Sequence, residues 1–102
     1  MGWVAVCPTE ELQDEEAVPF HHAGAPYVVF EADDGTVFCC AGACPVCDAP
    51  LAGAVLDGTV LECPADGAAF DLTDGTNEED GPPLPVFPVR AVKGRIEAEL
   101  PD

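Results

Sequence analysis

Apolar and polar residues alternate along the chain in short runs closed by turn signals, and no segment keeps a 3.6-residue apolar period long enough for a substantial helix. The pattern predicts a mostly β protein. Trp3 to Cys7 reads as a first strand ended by Pro8, and Thr9 as the cap of a single helical turn through Glu10 and Glu11. Tyr27 to Glu31 and Thr36 to Cys40 are β-rich runs joined across Ala32-Asp33-Asp34-Gly35, whose Asp-Gly step suits a tight hairpin. Val55-Leu56 and Thr59 to Glu62 flank a second such step at Asp57-Gly58, and Ala68 to Leu72 leads to a third at Asp74-Gly75. Thr76 to Pro85 is rich in acid, proline and glycine and reads as a surface loop. Val86 to Val92 and Arg95 to Leu100, joined by Lys93-Gly94, predict a closing hairpin. Many short antiparallel strands with no internal repeat imply a small β-sandwich or barrel.

Length and charge narrow the function. A chain of 102 residues is expected to form one domain, residues 1–102, and a core of that size gains from an added fastening. Three basic residues, Arg90, Lys93 and Arg95, against 20 acidic ones give a net charge of -17, which argues against any nucleic-acid backbone as partner. The acids are spread over Glu10 to Glu16, Asp33, Asp34, Glu78 to Asp80 and the carboxyl end, as on a solvated surface. No apolar run approaches the roughly 20 residues that cross a bilayer. The amino terminus shows no basic region, apolar core or cleavage site, so no membrane and a cytoplasmic location are expected.

Six cysteines change the picture more. In a cytoplasmic protein that number points to metal or redox chemistry rather than to a disulfide framework. Cys44-Pro45-Val46-Cys47 and Cys63-Pro64-Ala65-Asp66-Gly67 share one design, that of two metal knuckles. Donors three apart around a turn can aim at one centre, and the interval between Cys47 and Cys63 falls in the range of paired C-x-x-C sites. Asp66 stands where a fourth cysteine would, and a carboxylate still binds zinc or iron. The candidate metal ligands are therefore Cys44, Cys47, Cys63 and Asp66, with no catalytic residue proposed. Pro45, Pro50 and Pro64 stiffen the loops, Gly67 lets the second loop approach closely, and Phe70 reads as a core plug beneath it.

These segments, extended to Cys44-Pro45-Val46-Cys47-Asp48-Ala49-Pro50-Leu51 and Cys63-Pro64-Ala65-Asp66-Gly67-Ala68-Ala69-Phe70-Asp71-Leu72, resemble the two cluster-binding loops of Rieske-type ferredoxins. The resemblance also takes in the Trp3 strand, Asp33-Asp34-Gly35-Thr36-Val37-Phe38 and the ending Gly81-Pro82-Pro83-Leu84-Pro85-Val86-Phe87-Pro88-Val89-Arg90. It implies an all-β sandwich carrying a [2Fe-2S] cluster on a rubredoxin-like subdomain, here about residues 40–70. The family motif is C-x-H in the first loop and C-x-x-H in the second. Cys44 and Cys63 match its cysteines, whereas Val46 and Asp66 stand in place of its histidines, and Cys47 lies one position after the lost one. Three outcomes follow. Cys44 and Cys63 hold one iron while Cys47 and Asp66 hold the other, making a modified [2Fe-2S] electron carrier. Or the four residues bind a single zinc or iron ion that staples the fold. Or the site is empty and the protein is a binding subunit, as in small subunits of nitrite reductase. The first reading implies redox partners such as a reductase and a terminal oxygenase, docking near Pro45 and Pro64.

Other residues read more simply. Cys39-x4-Cys44-x2-Cys47 matches a plant-type ferredoxin spacing, but Cys39 and Cys40 fall on a strand, where one should be a core thiol and the other semi-exposed. Cys7 reads as a small hydrophobe and His21-His22 as a solvated turn. No nucleophile elbow, phosphate loop or H-E-x-x-H motif occurs, so self-contained catalysis is not expected.

Overall fold

The fold was obtained as a computed structural model, which describes residues 2–15, 17–32, 35–79 and 81–100. In chain order the elements are β1 (Gly2–Pro8), α1 (Thr9–Glu15), β2 (Ala17–His22), β3 (Ala25–Glu31), β4 (Val37–Ala41), β5 (Val55–Asp57), β6 (Val60–Glu62), β7 (Ala69–Asp71), β8 (Val86–Phe87), β9 (Val89–Val92) and β10 (Arg95–Leu100). They form three antiparallel sheets, ordered β1-β10-β9, β2-β3-β4-β8 and β5-β6-β7. The expected all-β antiparallel architecture is what the chain adopts.

The four-stranded sheet is covered on both sides. Side chains alternate across a strand, so Val28, Phe30 and Cys40 enter one apolar cluster while Tyr27, Val29 and Cys39 enter another. The first cluster lies against β5-β6-β7 and the candidate metal loops through Leu51, Leu61, Phe70 and Leu84. The second is closed by Leu12 of α1 and by Ile96, Ala98 and Leu100 of β10. Cys39 and Cys40 thus do face opposite ways, but neither is semi-exposed, because both faces of β4 are core. Burial pushes the Cys39 thiol up to about 12 and raises Cys40 still further, which keeps both protonated and inert. Cys7 is a buried small side chain as expected.

Several elements differ from the sequence pattern. The helix spans Thr9–Glu15 rather than one turn, because Leu12 anchors it in the core. Thr9 does not cap it; its amide and hydroxyl both donate to the carbonyl of Gly94, at 3.0 and 3.2 Å, and tie the helix start to the last hairpin. His21 and His22 end strand β2, opposite Pro26 and Ala25, and the turn follows at Ala23-Gly24. The run Val86 to Val92 breaks at Pro88, so β8 joins β4 and only β9 joins β10. The loop before it is not wholly superficial. Leu84 is buried, its amide bonded to the Gly75 carbonyl at 2.9 Å, and Asn77 is buried with it. The expected β3–β4 hairpin forms, with Phe30 opposite Phe38; Asp33 and Asp34 of its turn lie outside the described residues.

The charge is arranged simply. Arg90 and Arg95 both reach Glu97, at 2.9 and 3.6 Å, and the Arg90 guanidinium lies 4.0 Å from the Trp3 ring centre. Glu10, Glu11, Glu78 and Glu79 are exposed, in line with a solvated acidic surface. Among the described residues no helix is long and apolar enough to cross a membrane.

Candidate metal centre

Two loops project from the small β5-β6-β7 sheet, one before β5 and one between β6 and β7, and they are built alike. In the first, the Asp48 amide donates to the Cys44 carbonyl at 2.8 Å and the Cys44 amide to the Ala49 carbonyl at 2.9 Å. In the second, the Gly67 amide donates to the Cys63 carbonyl at 3.0 Å and the Cys63 amide to the Ala68 carbonyl at 2.8 Å. Each knuckle closes through a residue of positive φ, Asp48 at 64° and Gly67 at 77°. An added Cβ at Gly67 would meet nothing within 4 Å, so this glycine serves the left-handed conformation and not a close approach. Asp is among the few side chains that tolerate the same conformation at position 48. Leu51 and Phe70, both fully buried, support the loops from below, Phe70 in the expected role.

The knuckles bring all four candidate ligands together. Cys44, Cys47, Cys63 and Asp66 each offer one donor atom, and these atoms lie within 4.8 Å of one another. Cys44 and Cys63 form a buried inner pair, Cys47 and Asp66 an exposed outer pair. The Cys44 thiol donates to Asp66 Oδ2 at 3.8 Å, and the Cys47 and Cys63 sulfurs stand 3.7 Å apart. Val46, in the position of the family's first histidine, is 51% exposed and has no donor atom.

The surroundings fix the state of the donors. The Ala68 amide donates to Asp66 Oδ1 at 2.9 Å and, with smaller help from the three thiols, holds this carboxyl below the usual range. At Cys47 the Ala49 amide pulls the thiol down, but lost hydration and the neighbouring Asp66, Cys63 and Cys44 outweigh it and push the group up to about 12. A divalent or trivalent cation would remove that crowding of potential anions, since a coordinating thiol is deprotonated outright. Sequence reasoning missed Ala49 and Ala68, whose amides serve the outer donors. The available signal was an alanine two places after each of them.

Three thiols and a carboxylate suit iron or zinc by softness and charge. They fit the family's [2Fe-2S] cluster in chemistry but not in spacing. A core of two irons and two sulfides must stand between donors on opposite irons, and no pair among these four is separated enough to admit it.

An antiparallel β fold with two matched donor-bearing knuckles defines a small protein built around a candidate metal centre. Residues 2–89 match the Rieske [2Fe-2S] domain family, and the chain belongs to it. Ferredoxin CarAc of Metapseudomonas resinovorans is 30% identical over 97 residues, which cover 92% of this chain and 90% of that one. Among solved structures, the complex of reduced oxygenase and oxidized ferredoxin in carbazole 1,9a-dioxygenase contains a chain 29% identical, with a TM-score of 0.82 over 94% of this chain and 91% of that chain. A protein described as an NADH-dependent nitrite reductase small subunit from Mycobacterium tuberculosis is 25% identical, with a TM-score of 0.85 over 95% and 93% of the two chains. The chain is thus a Rieske-type ferredoxin in family and fold, a class of small electron carriers rather than self-contained enzymes.

Proposed function

We propose that the protein carries single electrons on a metal centre held by Cys44, Cys47, Cys63 and Asp66, within a metal-binding region of about residues 40–70 of one domain. The observation that carries the reading is the convergence of four donors from two loops, where the family's own set has lost both histidines. The family's cofactor is a [2Fe-2S] cluster, and the ligand set here keeps its two cysteine positions. The partners are a reductase and a terminal oxygenase or similar enzyme in the cytoplasm, as the carbazole dioxygenase complex illustrates for a relative. Docking falls at the exposed knuckle tips around Val46 and Pro64, and the net charge of -17 favours partners with basic faces.

The likeness to a nitrite reductase small subunit favours a second reading, a metal-free binding subunit. Convergence of four donors weighs against it, since an abandoned site has no reason to keep them within 4.8 Å. Anaerobically purified protein should change its visible absorbance reversibly on one-electron reduction and reoxidation. Protein that takes up no metal and shows no such change would leave only the binding subunit.

A further inference from the structure

We infer that the four donors take one tetrahedral metal ion, iron in the working protein, in place of the family's two-iron cluster; this rests on the ligand assignment proposed above. A tetrahedral ion with metal–sulfur bonds of about 2.3 Å holds its donors about 3.8 Å apart along each edge. Two of the donor pairs stand at 3.7 and 3.8 Å, and no pair exceeds 4.8 Å.

Which pairs are short is more telling than how short they are. If Cys44 and Cys63 shared one iron and Cys47 and Asp66 the other, distances between inner and outer donors would span the iron–sulfide core and be the long ones. They are not: Cys44 approaches Asp66 and Cys47 approaches Cys63, each an inner donor against an outer donor of the other knuckle, at 3.8 and 3.7 Å. Regrouping those close pairs as the ligands of separate irons would place Cys44 and Cys47 on opposite sides of the core, yet they too lie within the common 4.8 Å.

The knuckles supply an independent reason. Their backbone hydrogen bonds, positive-φ residues and amides to the outer donor correspond position by position. In each, the outer donor is the fourth residue, Cys47 or Asp66, and the third, Val46 or Ala65, is turned to solvent. The family's first loop has its donor at the third residue. Moving it to the fourth makes the loops equivalent, which is the C-x-x-C type of arrangement found around a single ion.

The test is iron, zinc and acid-labile sulfide per chain in protein purified without oxygen, followed by chelation and titration of the full chain with Co²⁺. Expected are one iron per chain, no sulfide, and saturation at one cobalt with a tetrahedral thiolate spectrum. Cys47→Ser should reduce the thiolate-to-cobalt band by about a third, one thiolate of three being lost, whereas Val46→Ala should leave it unchanged. The stoichiometry of the unaltered protein decides even if the serine variant does not fold. Two irons and two sulfides per chain would overturn the single-ion centre and leave the electron carrier standing. One zinc without sulfide would support the single-ion geometry and overturn the electron carrier. Failure to bind iron, zinc or cobalt would overturn both.

Discussion

Phe70 offers the most direct check that the knuckles stand on a packed core. It is fully buried between β6 and the segment at Asn77, and it shares a cluster with Cys44 and Cys63 of the two knuckles. Phe70→Ala removes a ring from a site that can collapse little, because Leu51, Leu61 and Leu84 around it are themselves fully buried. Such truncations cost about 3–5 kcal/mol. A chain of 102 residues has a total stability of about 5–15 kcal/mol. The substitution therefore takes away a large share of it. With a urea dependence of about 2 kcal/mol per molar for a protein of this size, the unfolding midpoint should fall by about 2 M at unchanged slope. Val55→Ala, at a side chain 66% exposed, is the matched control and should stay within about 0.5 kcal/mol. Equilibrium urea unfolding of the isolated protein, followed by tryptophan fluorescence and circular dichroism, measures both. A Phe70→Ala midpoint that moves no further than the Val55→Ala midpoint would refute the claim that the loops rest on this side chain.

Asn77 is buried, donates from Nδ2 to the Pro82 carbonyl at 3.1 Å and accepts the Glu79 amide on Oδ1 at 2.8 Å, so Asn77→Ala should cost about 1–3 kcal/mol in the same urea experiment. Gly75 has a φ of 83°, and a Cβ there would run into the Leu84 carbonyl; Gly75→Ala should destabilise by more than the roughly 1–2 kcal/mol of left-handed strain alone, read as a fall in Tm. Cys39 bears on pH: its folded-state value of about 12 lies above that of an unfolded thiol, so its contribution is intact below about pH 9 and lost as pH rises toward 12. Stability should fall across that window by an amount that shrinks by up to about 4 kcal/mol in Cys39→Ala, and an unchanged pH slope in the variant would contradict the burial argument.

What was legible in the sequence depended on whether a signal was local. The Asp-Gly steps gave the β5–β6 hairpin and the turn after β7 because the turn itself selects those residues. Strand β2 stayed hidden because Pro19 and the paired histidines speak against a strand, and only an edge position beside β3 makes them acceptable. The split at Pro88 is of the same kind, a break in pairing decided by which sheet each half meets. Cys39 and Cys40 misled because alternation gives the facing of a side chain but not what covers that face. The four donors were readable from the repeated Cys-Pro step. Their spacing was not, because Cys44 meets Asp66 across 22 residues of chain and Cys47 meets Cys63 across 16. Those distances are set by how the β5-β6-β7 sheet and the chain leading into it hold the two knuckles against each other.

The two lost histidines are therefore changes of different physical kind. At Asp66 a carboxylate occupies the position of the imidazole, and the Ala68 amide both orients it and favours its charged form. At the first loop the donor stands one residue along, at Cys47 and not at Val46, and the frame matches that of the second loop: Asp48 adopts the positive φ that Gly67 has there. Val46, in the place of the family's first histidine, is half-exposed and offers no donor atom, while the Asp48-to-Cys44 hydrogen bond closes the turn around it. The register of the knuckle, more than the chemistry of any one ligand, separates this centre from that of its relatives.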